Sequence, residues 1–212
     1  MRILLILPYD STYRCQAGSF KKTILYPPLT LTTLASLVPK ELNAEIRIVD
    51  EGVEILEEDF EADLVGISAV TSAAPRAYLL ADKARERGMS VVLGGVHPTL
   101  MPQEAALHAD AVVIGFAEET WPQLLQNFKE GKMKKFYHAS PDLSLKNLPV
   151  PRRDLLNPNA YITKNTIQAT RGCPNTCKFC VIPQVWGHQY HCRPVKDVIK
   201  EIECMDAKDI LF

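Results

Sequence analysis

Cysteine is sparse in this chain: six residues in 212, too few and too unevenly placed for a disulfide scaffold. Three of the six crowd between positions 173 and 180, which favours a metal site in a reducing compartment. An excess of one charge is also missing. The net charge of −1 creates no demand for a nucleic-acid or membrane partner. No apolar run reaches the ~18–20 residues that a membrane span needs. Met1-Arg2 followed by Ile3–Leu7 has the outline of a secretory leader, but the run stops at Pro8. It reads better as a buried first strand, and a cytoplasmic location is expected. No internal repeat of fixed period occurs.

What is present is ordinary globular material, 47% hydrophobic and 23% charged, enough for one sizeable domain and part of another. The charge is mildly uneven. Residues 1–150 carry 15 basic and 19 acidic side chains, whereas 151–212 carry 9 and 6, a solvated difference more than a binding signal.

Residues 1–131 alternate short apolar runs with amphipathic segments. Strands are expected at Arg2–Leu7, Ala44–Val49, Asp63–Val70, Ser90–Leu93 and Ala111–Ile114. Helices are expected at Leu29–Glu41, Ala74–Arg87, Pro102–His108 and Glu118–Lys129, with Gly88 as a helix terminator and two carboxylates in the last helix's first turn. Strands that are apolar throughout and separated by helices imply a parallel sheet covered on both faces. The fold class is therefore α/β, a doubly wound, Rossmann-like (flavodoxin-like) sheet, whose ligands bind beyond the carboxyl ends of the strands. From 132 to 163, Pro141, Pro149, Pro151 and Pro158 among Asn, Asp and Ser suggest an irregular linker. From 164 to 212 the pattern reads strand (Asn165–Thr170), cysteine loop, helix (Val195–Met205) and the start of a strand at Asp209.

The loop is Arg171-Gly172-Cys173-Pro174-Asn175-Thr176-Cys177-Lys178-Phe179-Cys180. Three thiolates at C-x₃-C-x₂-C can ligate three irons of a 4Fe–4S cluster and leave the fourth open for chemistry, whereas four-cysteine clusters mainly carry electrons. A structural zinc is the competing reading, with Cys177 and Cys180 as one knuckle and His188 or His191 with Cys192 completing the set. Cys173 and the aromatic Phe179 favour iron–sulfur. The motif, flanked by Arg171-Gly172 and by Arg193-Pro194-Val195, resembles the cluster signature of radical S-adenosylmethionine enzymes. That resemblance implies Cys173, Cys177 and Cys180 as cluster ligands and S-adenosylmethionine on the open iron. It also implies Phe179 beside the adenine and an external one-electron donor such as flavodoxin or ferredoxin. Otherwise Phe179 is a packing residue that stiffens the loop.

Upstream, Pro27-Pro28-Leu29, Asp63-Leu64-Val65-Gly66-Ile67-Ser68, Gly94-Gly95-Val96-His97-Pro98-Thr99 and Gly115-Phe116-Ala117-Glu118-Glu119 fall in order. Together they resemble the domain that binds cobalamin ahead of the radical domain in cobalamin-dependent radical enzymes, most plausibly C-methyltransferases. The resemblance implies that cobalamin's nucleotide tail meets Thr71, Ser72, Gly94, Gly95, His97, Thr99 and Gly115, and that the loop at Tyr9–Ser19 approaches the corrin. From the residues alone, Thr71 and Ser72 could equally cap a helix, and His97 could bond the backbone. The D-x-H-x-x-G of methionine-synthase-type domains is missing, since Asp-x-His occurs at none of the five histidines. Phe116 stands where the family commonly has an acidic residue.

Two other functions remain in view. Methylthiotransferases carry a further three-cysteine cluster in the N-terminal domain, where this chain has only Cys15. The chain also ends 32 residues after Cys180, with no Gly-Gly-Glu segment and far short of six βα units. It is therefore expected to be a cobalamin-binding fragment that turns over no substrate alone, being a domain of a longer protein, one half of a split gene whose barrel continues on a separate chain, or the product of a fragmentary gene.

Overall fold

The computed structural model describes residues 1–10, 26–140, 144–157, 159–205 and 209–211. Six strands form one parallel sheet: β1 (Arg2–Leu7), β2 (Glu45–Asp50), β3 (Leu64–Ser68), β4 (Ser90–Gly94), β5 (Ala111–Ile114) and β6 (Phe136–His138). Their spatial order is 2-1-3-4-5-6. The chain builds outward from β1 to β2 and then crosses back to β3, which makes the β1/β3 boundary a switch point with a crevice at its carboxyl edge.

Helices cover both faces. Within each strand successive side chains point to opposite sides, so one apolar segment feeds two cores. Leu4, Ile6, Val65, Ile67 and Leu93 pack with Ala77, Leu80, Ala81 and Ala84 of α2 (Ala74–Glu86) and Ala105 of α4 (Pro102–His108). Ile3, Leu5, Leu64, Val92 and Val113 pack with Leu31 and Ala35 of α1 (Leu29–Ser36) and Trp121, Leu124 and Leu125 of α5 (Thr120–Lys129). Burial on both faces explains why these strands show no polar alternation.

The elements depart from the sequence expectations in instructive places. α1 ends at Ser36, because Pro39 disfavours helical geometry at the residue before it; Lys40–Leu42 is a separate 3₁₀ turn. α5 begins at Thr120, so Glu118 and Glu119 precede its first turn instead of occupying it. A short helix, α3 (Val96–Leu100), follows the Gly-Gly turn, with Pro98 in its first turn where a missing N–H costs nothing. The segment expected to be irregular from residue 132 contributes β6, which pairs with β5 from Val112 to Ile114.

The C-terminal part starts a second layer. Thr166 bridges Leu211 in parallel, with Ile167 N–H donating to Leu211 O at 2.8 Å and Leu211 N–H to Asn165 O at 2.9 Å. The strand expected over Asn165–Thr170 is interrupted. After Ile167, β7 (Thr170–Arg171) pairs antiparallel with β8 (His191–Cys192), closing a hairpin around the cysteine loop and the short α6 (Ile182–Trp186). Gly172 permits this closure: its φ is +85°, and a Cβ there would collide with Gln189 O. α7 (Val195–Met205) follows and is anchored by Glu201, whose buried carboxylate lies between Arg153 and Arg193. No described helix is long and apolar enough to cross a membrane.

Candidate functional site

A cavity of about 390 Å³ opens beyond the carboxyl ends of the central strands. Its floor is Ile67, Val92 and Val113 with the Trp121 indole, and Thr33 and Leu34 of α1 with Leu37 just beyond it run along one side. Gly66 creates room for that indole. A Cβ at Gly66 would lie 2.9 Å from Leu5 Cδ2 and 3.3 Å from Trp121 Cη2. Trp121 is held in turn by its Nε1–H, which donates to Leu34 O at 3.1 Å.

Gly94, Gly95 and Gly115 form the lip. Gly95 has φ +97° and ψ −167°, a region open essentially to glycine alone. It lets the chain pass close to the end of β3, where Ala69 N–H donates to Gly94 O at 2.9 Å and Ala69 O accepts from His97 N–H at 3.0 Å. Thr99 ties the lip together: its hydroxyl donates to Gly95 O at 2.8 Å and accepts from Gly115 N–H at 2.9 Å. Thr99 thus acts on the cavity through the two glycines and is not part of its wall.

Thr71, Ser72 and His97 also lie outside the wall. Thr71 and Ser72 are exposed on a 3₁₀ turn (Thr71–Ala73), and neither supplies a helix-capping hydrogen bond. His97 is buried and bonds side chains: Nε2 faces Tyr78 OH at 3.0 Å and Glu104 Oε1 at 3.2 Å, and Nδ1 faces Thr71 Oγ1 at 3.4 Å. Tyr78 stacks on His108, ring centres 4.2 Å apart, and His108 Nδ1 meets Asp82 at 2.8 Å. Burial and then the hydrogen bond to Glu104 push the Tyr78 hydroxyl well up, while bonds from Tyr78 and His97 hold the Glu104 carboxyl below its usual value. This network ties α2, α3 and α4 together behind the lip.

The roof comes from the C-terminal part: Gln168, Arg171, Gly172 and Trp186 close over the cavity. Phe116, directly after Gly115, stacks on Trp186 at 5.9 Å and meets the edge of His191 at 5.8 Å. The Arg171 guanidinium lies 5.6 Å over the Phe116 ring, attracted to its electron-rich face, and pairs with the buried carboxylate of Glu118. Phe116 is therefore the centre of a junction between the two parts of the chain. Sequence reading missed Trp121 and this junction. The one available signal was Gly66 in mid-strand, since an isolated strand glycine marks a close approach.

The dimensions suit a cofactor-sized group, because pockets of ~300–1,000 Å³ with few polar groups are typical of such sites. The family model described as the B12 binding domain matches residues 25–125.

This chain carries a B12-binding domain.

Among curated proteins, the chain is 37% identical over 191 residues to a bacteriochlorophyllide d C-8(2)-methyltransferase of Chlorobaculum tepidum, covering 87% of this chain and 42% of that protein. A bacteriochlorophyllide d C-12(1)-methyltransferase of the same organism is 35% identical over 181 residues, covering 82% and 39%. A hopanoid C-2 methylase of Rhodopseudomonas palustris is 24% identical over 218 residues, covering 96% and 40%. The chain thus spans about two fifths of the length of these relatives. The resemblance to cobalamin-dependent enzymes read from the four ordered motifs is borne out, and with it the doubly wound fold of the B12-binding domain.

The cysteines are arranged differently. Cys173 and Cys180 are half-buried, Cys177 is exposed, and Cys180 N–H donates to Cys177 O at 3.0 Å within one turn. All three are free thiols, the donor chemistry that iron requires. Among the described residues, however, no three His, Cys, Asp or Glu side chains are gathered closely enough to hold a metal. Phe179 is 93% exposed and packs on nothing, so the reading of it as a stiffening residue is not met. The corrin-facing loop expected at Tyr9–Ser19 lies from residue 11 onward outside the described residues, as does Cys15.

Proposed function

We propose that the chain binds a corrinoid with its nucleotide end in the 390 Å³ cavity, as the cofactor-holding part of a cytoplasmic radical C-methyltransferase. The observation that carries this reading is the cavity itself, an apolar slot with a glycine lip at the switch point of a B12-binding domain. The relatives named above, two of which methylate a bacteriochlorophyllide, support carbon as the methyl acceptor. Gly94, Gly95 and Gly115 would border the nucleotide, and Trp121 and Leu34 would bury it. Methylcobalamin, when bound, would supply a methyl group; the apolar residues of the slot, Leu34, Val92, Val113 and Trp121, would exclude water from the end it holds.

The spacing of Cys173, Cys177 and Cys180 supports a 4Fe–4S cluster that takes S-adenosylmethionine, with Phe179 near the adenine and electrons from a flavodoxin or ferredoxin. Substrate turnover would further require the rest of the barrel, on this or another chain. Two measurements test the proposal. Titration with cyanocobalamin followed by visible absorbance is expected to show saturable binding at micromolar corrinoid; no spectral change would refute the corrinoid reading. Anaerobic reconstitution is expected to give about four irons per chain, lost in Cys177→Ala. Iron retained in that variant would refute the cluster assignment.

A further inference from the structure

The cavity and the cysteine loop share their walls. Gln168, Arg171 and Gly172 lead directly into Cys173, and Trp186 closes α6 six residues after Cys180. All four roof the cavity, so a group entering it touches both arms that flank the cysteine loop, the β7 segment before it and α6 after it. From the other domain, Phe116 and Glu118 hold those arms by the Trp186 stack, the His191 edge contact, the cation over the ring and the buried Arg171–Glu118 pair. Arg171 is fixed on its other side by Nε–H, which donates to Gln168 Oε1 at 2.8 Å. The hairpin has little room to yield, because Gly172 already sits against Gln189 O. The three cysteines lie in the loop between these anchored segments, Cys173 and Cys180 half-buried and Cys177 exposed.

We infer that occupancy of the cavity and the conformation of the cysteine loop are coupled through this junction, with Phe116 and Arg171 as positioning residues for Cys173, Cys177 and Cys180. The inference rests on the corrinoid reading of the cavity. A ligand that presses on Arg171, Gly172 and Trp186 selects hairpin arrangements that fit it, and the loop between the arms follows. Because coupling is reciprocal, a loop fixed by other means tightens corrinoid binding by the same factor. Phe116 supplies the aromatic face on which Trp186 stacks and over which the Arg171 guanidinium lies.

The test reads thiol reactivity in the intact chain. Alkylation of each cysteine by iodoacetamide is followed by mass spectrometry, anaerobically, with and without saturating cyanocobalamin, whose cobalt already holds cyanide and does not trap thiolates. Cys204, exposed on α7, serves as the internal reference. Bound corrinoid is expected to change the rates at Cys173, Cys177 and Cys180 about fivefold or more relative to Cys204. In Phe116→Glu, and independently in Trp186→Leu should the first variant fold poorly, the change at saturating corrinoid is expected to fall below twofold. A corrinoid that binds wild-type protein without altering these rates overturns the coupling and leaves the cavity reading intact. Protection that persists in both variants overturns the junction as its route, since the corrinoid would then shield the loop directly. Failure of the wild-type chain to bind cyanocobalamin overturns the cavity reading, and this inference with it.

Discussion

Replacing Gly95 by alanine tests the geometry on which the cavity depends. At φ +97° and ψ −167° a side chain costs about 1–3 kcal/mol in backbone strain alone. The new Cβ would also lie 2.8 Å from Ala69 O, 2.9 Å from Ala69 N and 3.0 Å from Ser68 Oγ. Two of these are backbone atoms, and both are engaged: Ala69 N–H with Gly94 O and Ala69 O with His97 N–H. Relieving the contact stretches hydrogen bonds worth about 0.5–1.5 kcal/mol each. The expected loss is about 2–5 kcal/mol, which for a chain of this size lowers the melting temperature by roughly 5–15 °C. Gly131→Ala is the matched control. Gly131 also has positive φ (+69°), but a Cβ there meets nothing within 4 Å, so only the left-handed penalty of about 1–2 kcal/mol applies. Thermal unfolding by circular dichroism compares the two. If Gly95→Ala melts no lower than Gly131→Ala, the close approach of the lip to β3 is not what requires glycine.

Other perturbations reach different parts of the account. Glu201→Gln removes the anion between buried Arg153 and Arg193 and is expected to cost about 3–5 kcal/mol by urea denaturation; a loss below 1 kcal/mol would show that the triad is not desolvated. Tyr161→Phe deletes the buried hydrogen bond from Tyr161 OH to Asp50 Oδ2 (3.1 Å), for an expected loss of about 1–2 kcal/mol in the same assay. Glu104, whose carboxyl is held down by hydrogen bonds from Tyr78 and His97, is expected to titrate by NMR below the usual value of 4.5. Since its folded pKa is depressed, its contribution to stability is complete above the unfolded pKa and fades as pH falls through the folded one. A midpoint at or above 4.5 would contradict the network.

Much of the fold was legible because the strands are buried on both faces. β1 and β5, and the helices α4 and α7, fall where apolar runs and helical spacing placed them. β6 was not legible: Phe136–His138 is three residues long, too short for a period, and owes its place to pairing with β5. The β7–β8 hairpin depends on a contact between Gly172 and Gln189, 17 positions apart, which no local pattern reports. At the site, the glycines of the lip announced themselves. The roof did not, because Arg171, Trp186 and Phe116 meet only once the two parts of the chain are brought together. Thr71, Ser72 and His97 do not line the cavity; His97 on α3 instead bonds Tyr78, a contact 19 positions away that no local pattern reports.

Equilibrium dialysis of cyanocobalamin against wild-type protein and Gly94→Val tests the central claim most directly. Gly94 lines the cavity without positive φ, and a Cβ there meets Val113 Cβ at an ordinary 3.6 Å, so valine adds bulk to the slot with little cost to the fold. The account predicts one corrinoid per wild-type chain at micromolar concentration, and binding at least about tenfold weaker in the variant at similar melting temperature. Equal affinity in the two proteins would contradict it, placing the corrinoid somewhere other than this cavity.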